Sequence, residues 1–113
     1  MRELTPVLLE NGFREALQDG GILEIDCTAP VVHARNSISG EWKFFVRSKE
    51  GNDEVRQVLV VQRNIEHRVV KTALGAMSLA ASLGATVVAV PFVEGETGVC
   101  KVDPNAVFED DTS

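Results

Sequence analysis

Between Glu41 and Arg47 the chain alternates strictly, with Trp42, Phe44 and Val46 on one face and Lys43, Phe45 and Arg47 on the other. That is the period-2 pattern of a half-buried strand. Gly51-Asn52-Asp53 lies at the centre of a turn-rich linker from Ser48 to Glu54, and extended character resumes from Val55 to Arg63 through Val58, Leu59, Val60 and Val61. Two such segments on either side of so short a linker predict a β-hairpin, which commits the chain to a sheet. The run Leu59-Val60-Val61 has no polar break, so its strand is expected to be central and covered on both faces.

The flanking segments predict what covers it. Thr5-Pro6 reads as an N-cap followed by proline at the first helical position, and Val7, Leu8, Phe13 and Leu17 recur at roughly helical spacing. The helix is expected to run to about Asp19 and to end at Gly20-Gly21. A second helix is expected over Ile65 to Leu83, with Val69, Ala73, Met77 and Ala80 at spacings of three and four and charges confined to its first two turns. From Ala73 to Ala85 it is uncharged and rich in small residues, which suits packing against a sheet and a second surface, either the first helix or a symmetry mate.

Ile22, Leu23 and Ile25, interleaved with Glu24 and Asp26, and Val31 to Arg35 beyond Pro30 read as short edge strands. Thr86 to Val93 is a β-branched run fitting a buried strand, and the link from Arg63 is long enough for a helical crossover to lay it parallel. Val99 to Val102 closes the sheet. The expected fold is α+β in two layers: a mostly antiparallel sheet of about five strands with two helices, one of them a crossover to a parallel strand. Residues 1–104 form a single globular domain in this reading, and 105–113 form an acidic C-terminal tail ending in Glu109-Asp110-Asp111-Thr112-Ser113.

A chain of 113 residues can bury roughly 65% of its unfolded surface, enough for one core. Met1-Arg2-Glu3-Leu4 opens no apolar run of signal-peptide length, and the longest apolar stretch is broken by Gly75, Ser78, Ser82 and Gly84. A cytoplasmic location without membrane spanning is the expectation, with Cys27 and Cys100 as reduced, buried thiols. The net charge of −6 is uneven: three basic and seven acidic side chains in residues 1–42, seven and four in 43–71, one and six in 72–113. Only the middle segment is equipped for phosphate contact, since the whole molecule repels nucleic acid at long range.

Candidates for chemistry are few. Nucleophilic catalysis needs a base held by a third group, and His33 and His67 sit in no such motif. Cys27, His33, His67 and Cys100 are suitable zinc ligands by type, but they are scattered over the chain with no close pair. Gly95-Glu96-Thr97-Gly98 is glycine-rich yet acidic and opens no helix, so it reads as a turn and not a phosphate cradle. Glu24 and Asp26 share one side of a strand and read as solvated. No catalytic residue, cofactor or metal site is assigned. What remains is the hairpin face, where Lys43, Phe45 and Arg47 meet Arg56 and Arg63 from the partner strand. Interleaved cations and an aromatic suit an acidic protein surface, or single-stranded nucleic acid by stacking and phosphate contact. The structural alternative buries Phe45 under the first helix while the cations pair with Glu50, Asp53, Glu54 or the acidic chain ends.

The run Ala34-Arg35-Asn36-Ser37-Ile38-Ser39-Gly40-Glu41-Trp42, with Leu59-Val60-Val61-Gln62-Arg63, Arg68-Val69-Val70-Lys71-Thr72 and Leu83-Gly84-Ala85, resembles small accessory proteins of bacterial plasmids and integrated elements, often labelled partition-associated. The resemblance spans about residues 22–92, rests on the order of hairpin, helix and strand, and carries over no functional residue. It implies an accessory to a partition or maintenance apparatus. The resulting expectation is a non-enzymatic adaptor that binds a protein and self-associates. A nucleic-acid-binding module using the 43–63 hairpin is the first alternative, and a small enzyme of unrecognised type the second.

Overall fold

A computed structural model describes residues 7–61 and 66–103. In chain order its elements are β1 (Val7–Leu8), α1 (Glu10–Gln18), β2 (Ile22–Cys27), β3 (Val32–His33), β4 (Ile38–Glu50), β5 (Asp53–Val61), β6 (Glu66–His67), β7 (Val69–Thr72), α2 (Ala73–Ser82), β8 (Ala85–Val87) and β9 (Thr97–Val102). The alternating hairpin becomes β4 and β5, closed where Glu50 faces Asp53. Gly51 takes a φ of 67° in the two-residue turn, a left-handed value that glycine adopts without Cβ strain.

Around this hairpin the strands order as β1-β5-β4-β2-β9-β8, with β3 and β7 added on β4 and β6 on β5. The pairing is antiparallel except between β1 and β5, where Val7 faces Val58 and Leu8 faces Leu59. The fold is α+β, a mostly antiparallel sheet with two helices. Leu23, Ile25 and Cys27 of β2, Trp42, Phe44 and Val46 of β4, Leu59 of β5 and Cys100 of β9 bury one face against Phe13 and Leu17 of α1 and Ala73, Ala76, Leu79 and Ala80 of α2. Trp42 and Phe44 are fully buried, each large aromatic or aliphatic side chain so placed contributing about 1.5–3 kcal/mol. Trp42 Nε1 donates to the Pro91 carbonyl at 2.7 Å, so its one polar atom is satisfied. On the opposite face Phe45, Val58 and Val60 make a second, smaller buried cluster. β5 is therefore covered on both faces, as its unbroken apolar run required.

The two helices lie side by side over the core. Arg14 of α1 pairs with Glu10 at 2.8 Å and donates through Nη1 to the Ser82 carbonyl at the end of α2 at 2.6 Å, a cation placed where the helix dipole is negative. After α1 the chain turns through Gly20 (φ 103°) and runs close to the sheet at Gly21. A Cβ at Gly21 would stand 2.5 Å from Val46 Cγ2 and 2.8 Å from the Ala16 carbonyl oxygen.

Several expectations are corrected. The first helix begins at Glu10, because Val7 and Leu8 pair in parallel alongside β5 instead of opening a helix; Thr5 and Pro6 lie outside the described residues, as do Arg63 and the tail from 104 to 113. The second helix begins at Ala73 and not near Ile65: Val69 and Val70 pair with Lys43 and Trp42 on β4, and β-branched side chains fit that pleat better than a helix. Thr72 is the true N-cap, its Oγ1 accepting from the Gly75 amide at 3.0 Å. α2 is no crossover to a parallel strand, since β8 joins β9 antiparallel. Of the Thr86–Val93 run only the first residues enter a ladder. Val88 and Val90 pack on the core while Val87, Phe92 and Val93 are exposed. β2 is an interior strand between β4 and β9 and not an edge.

Cys27 and Cys100 are both buried and both free. Cys100 faces Leu23, four residues before Cys27 on β2, so the two thiols stand roughly 13 Å apart along the ladder.

Candidate functional site

The far face of the sheet is built by strand alternation. With Leu23 and Ile25 turned to the core, Ile22, Glu24 and Asp26 of β2 share the other side with Lys43, Phe45 and Arg47 of β4 and Arg56, Val58 and Val60 of β5. The registers Glu24 to Phe45, Phe45 to Val58, Arg47 to Arg56 and Asp26 to Lys43 set the rows. β9 contributes Thr97 opposite Asp26 and Val99 opposite Glu24, and Val87 of β8 faces Lys101.

Here the reading of Glu24 and Asp26 as solvated side chains is overturned. Glu24 is only 5% exposed and accepts from both arginines: Arg47 Nε at 2.8 Å and Nη2 at 3.1 Å, and Arg56 Nε at 2.7 Å. Asp26 takes a two-pronged contact from Arg56, Nη1 at 3.1 Å and Nη2 at 2.6 Å, and a third bond from Thr97 Oγ1 at 2.7 Å. Arg47 extends the network to Glu54 at 3.3 Å. The Arg56 guanidinium carbon sits 3.8 Å from the centre of the Phe45 ring, a cation–π contact that covers the aromatic from the open side. Fork-to-carboxylate geometry of this kind fixes both partners in orientation.

Burial opposes ionisation of Glu24, but hydrogen bonds from Arg47 and Arg56, with their positive charges, outweigh it and hold the carboxyl below its ordinary value of 4.5. Asp26 behaves the same way: burial raises it, while the bonds from Arg56 and Thr97 and both arginine charges bring it below 3.8. Both carboxylates stay charged at neutral pH and hold no proton to give. Burial raises the Cys100 thiol, only partly offset by the Ala89 amide, which makes it a poor nucleophile near neutrality.

The sequence-derived hairpin set is thus partly assembled. Lys43, Phe45, Arg47 and Arg56 share one face, and Arg63 lies outside the described residues. Phe45 is buried, but by Arg56 on the far face and not under α1. His33 is exposed and meets the Phe92 ring edge-on with centroids 6.0 Å apart, while Phe92 in turn packs against Trp42. Among the described residues no group of three or more His, Cys, Asp or Glu is placed to hold a metal ion, and no helix is long and apolar enough to cross a membrane.

Sequence reasoning missed the apolar margin of this face. Ile22, Val87 and Val99 are 45%, 56% and 58% exposed and surround Lys101 at an open depression of about 420 Å³. Ile22 also borders a more polar hollow of about 560 Å³ with Asp19, Arg47, Ser48, Lys49 and Glu54. The signal was the alternation itself: Ile22 and Val99 occupy the same phase as Glu24 and Thr97, so burying Leu23 and Cys100 must turn them outward. Compared with known proteins, the chain matches no family model, no curated protein and no solved structure.

Proposed function

We propose that the chain is a non-enzymatic adaptor that docks a protein partner on the far face of its sheet and also associates with itself. The observation that carries this reading is the pairing of an immobilised charge network with a bare apolar margin. Arg47 and Arg56 are engaged by Glu24, Asp26 and Glu54, so they act as supports that stiffen the face, while Ile22, Val87 and Val99 remain exposed beside it. Exposed apolar side chains bordered by charged groups are the usual anatomy of a protein interface. The partner's complementary patch offers apolar side chains to these three and a carboxylate to Lys101.

The same network argues against single-stranded nucleic acid on the hairpin. A stacking platform needs an open ring face, and that of Phe45 is occupied by Arg56. The resemblance of residues 22–92 supports placing the adaptor in plasmid partition or mobile-element maintenance, in the bacterial cytoplasm.

The test is affinity capture of partners from a bacterial host lysate, with and without nuclease, using the native chain and Val87→Glu. Val87 is exposed and faces Lys101, so the charge is tolerated by the fold. A protein partner that survives nuclease and whose affinity drops at least about tenfold with Val87→Glu is expected, the loss typical of a central contact. Capture that disappears on nuclease treatment would overturn the reading in favour of nucleic acid.

A further inference from the structure

We infer that the C-terminal segment 104–113 of the same chain folds back over the depression at Lys101 and covers it, with Phe108 laid on Ile22, Val87 and Val99 and the carboxylate of Asp110 at the Lys101 ammonium. This rests on the far-face docking surface of the proposed function and names its regulation, since tail and partner then compete for one place.

The chemistry of the depression selects its occupant. Val87 faces Lys101 across the β8–β9 ladder, and one step beyond the Leu23–Cys100 pair the same register sets Ile22 on the other side of Lys101. Val99 stands two residues back on the same face of β9. Three exposed apolar side chains therefore surround one ammonium. Lys101 is itself exposed and is the only charged residue in the wall of this 420 Å³ space. Among the described residues it has no carboxylate within ion-pair distance. An apolar floor with a single uncompensated cation fits an occupant that brings a large apolar side chain and a carboxylate close together.

Three stretches lie outside the described residues, and only one has this chemistry at this place. Residues 62–65 carry Arg63 and no acid, and residues 1–6 carry one arginine and one glutamate. Both adjoin strands at the β5 side of the sheet, whereas the depression lies at its β9–β8 end, three or more strand spacings of about 4.8 Å away. Residues 104–113 carry Glu109, Asp110 and Asp111 with no base, directly after Val107 and Phe108. They follow Asp103, whose amide is held on the Gly84 carbonyl at 3.2 Å, two residues past Lys101.

Reach and phase agree. Lys101 lies roughly 7 Å back along β9 from Asp103, and Phe108, five residues beyond Asp103, can return across up to about 17 Å of chain. In an extended segment Phe108 and Asp110 fall on one side, roughly 7 Å apart, while Glu109 turns to the other. That separation suits an apolar floor with an ammonium standing among its side chains. Because the segment is tethered, its local concentration is on the order of millimolar, so a contact too weak to hold a free peptide tightly still closes the site.

The test is NMR on the full chain. Nuclear Overhauser effects are expected between the Phe108 ring protons and the methyl groups of Ile22, Val87 and Val99, and those methyl resonances should shift in Phe108→Ser. The Overhauser effects should weaken in Lys101→Glu, a change at an exposed position, and return when it is combined with Asp110→Lys. A synthetic peptide of residues 104–113 added to Phe108→Ser should move the methyl resonances back toward their native positions. Methyl resonances unmoved in Phe108→Ser would overturn the tail contact and leave the docking face standing. In mixed labelled and unlabelled chains, isotope-filtered Overhauser effects between copies would assign the tail to the depression of a second copy and overturn the inference as drawn. A chain that shows the contact but captures no protein would overturn the docking face, and with it the competition, while the covering of the depression stands.

Discussion

Glu24 is the residue on which the far face turns, since it accepts from both Arg47 and Arg56. Glu24→Gln keeps the shape but removes the charge, leaving two arginines with Asp26 and Glu54 as their remaining partners. Partial exposure of Arg47 and Arg56 moderates the cost, and a loss of about 2 kcal/mol in unfolding free energy is expected by denaturant titration. The pH dependence follows from the sign of the shifts. The folded carboxyl groups of Glu24 and Asp26 lie below their ordinary values, so in acid the unfolded chain binds protons first. Their stabilisation is complete above the ordinary carboxylate range and fades as pH falls through and below 4.5 and 3.8. The acid limb of stability against pH should be shallower in Glu24→Gln than in the native chain. The pairing was half legible in the sequence: alternation put Glu24 and Asp26 on one side and the cations of the hairpin on one side, but nothing local revealed that β2 lies next to β4.

At the level of elements, the hairpin was readable because its pattern and its turn agree, each fixing the other's register. α2 was misplaced at its start because Val69 falls in helical phase with Ala73 and Met77, although Val69, Val70 and Thr72 prefer a strand. Thr72 then supplies the cap. β1 was hidden because two residues have no period. The run after β8 owes its path to Gly98, where an added Cβ would run into the Ala89 carbonyl oxygen. Backbone on backbone leaves little room to adjust, so Gly98→Ala should cost roughly 1–3 kcal/mol and lower the melting temperature by several degrees, roughly 4–8 °C for each kcal/mol. Calorimetry checks this. An unchanged melting temperature would mean that β9 and the 88–90 segment are not pressed together as described.

Among the described residues the helices cover one side of the sheet, and the far side carries the ion pairs of Glu24 and Asp26 with Arg47 and Arg56, Arg56 lying over Phe45. That asymmetry was anticipated as two layers, but the sequence did not disclose which strands are interior. The placement of the two cysteines follows from the same layering: both point into the main core, at opposite ends of the β2–β9 ladder, too far apart to bridge. Oxidation therefore cannot lock this chain from within, and the two thiols become internal clocks for the opening of the sheet. A thiol-reactive dye reaches either sulfur only when the ladder parts. In single-cysteine variants, Cys27→Ser and Cys100→Ser, equal labelling rates are expected if the core opens as one unit, and unequal rates would show one end of the ladder loosening before the other.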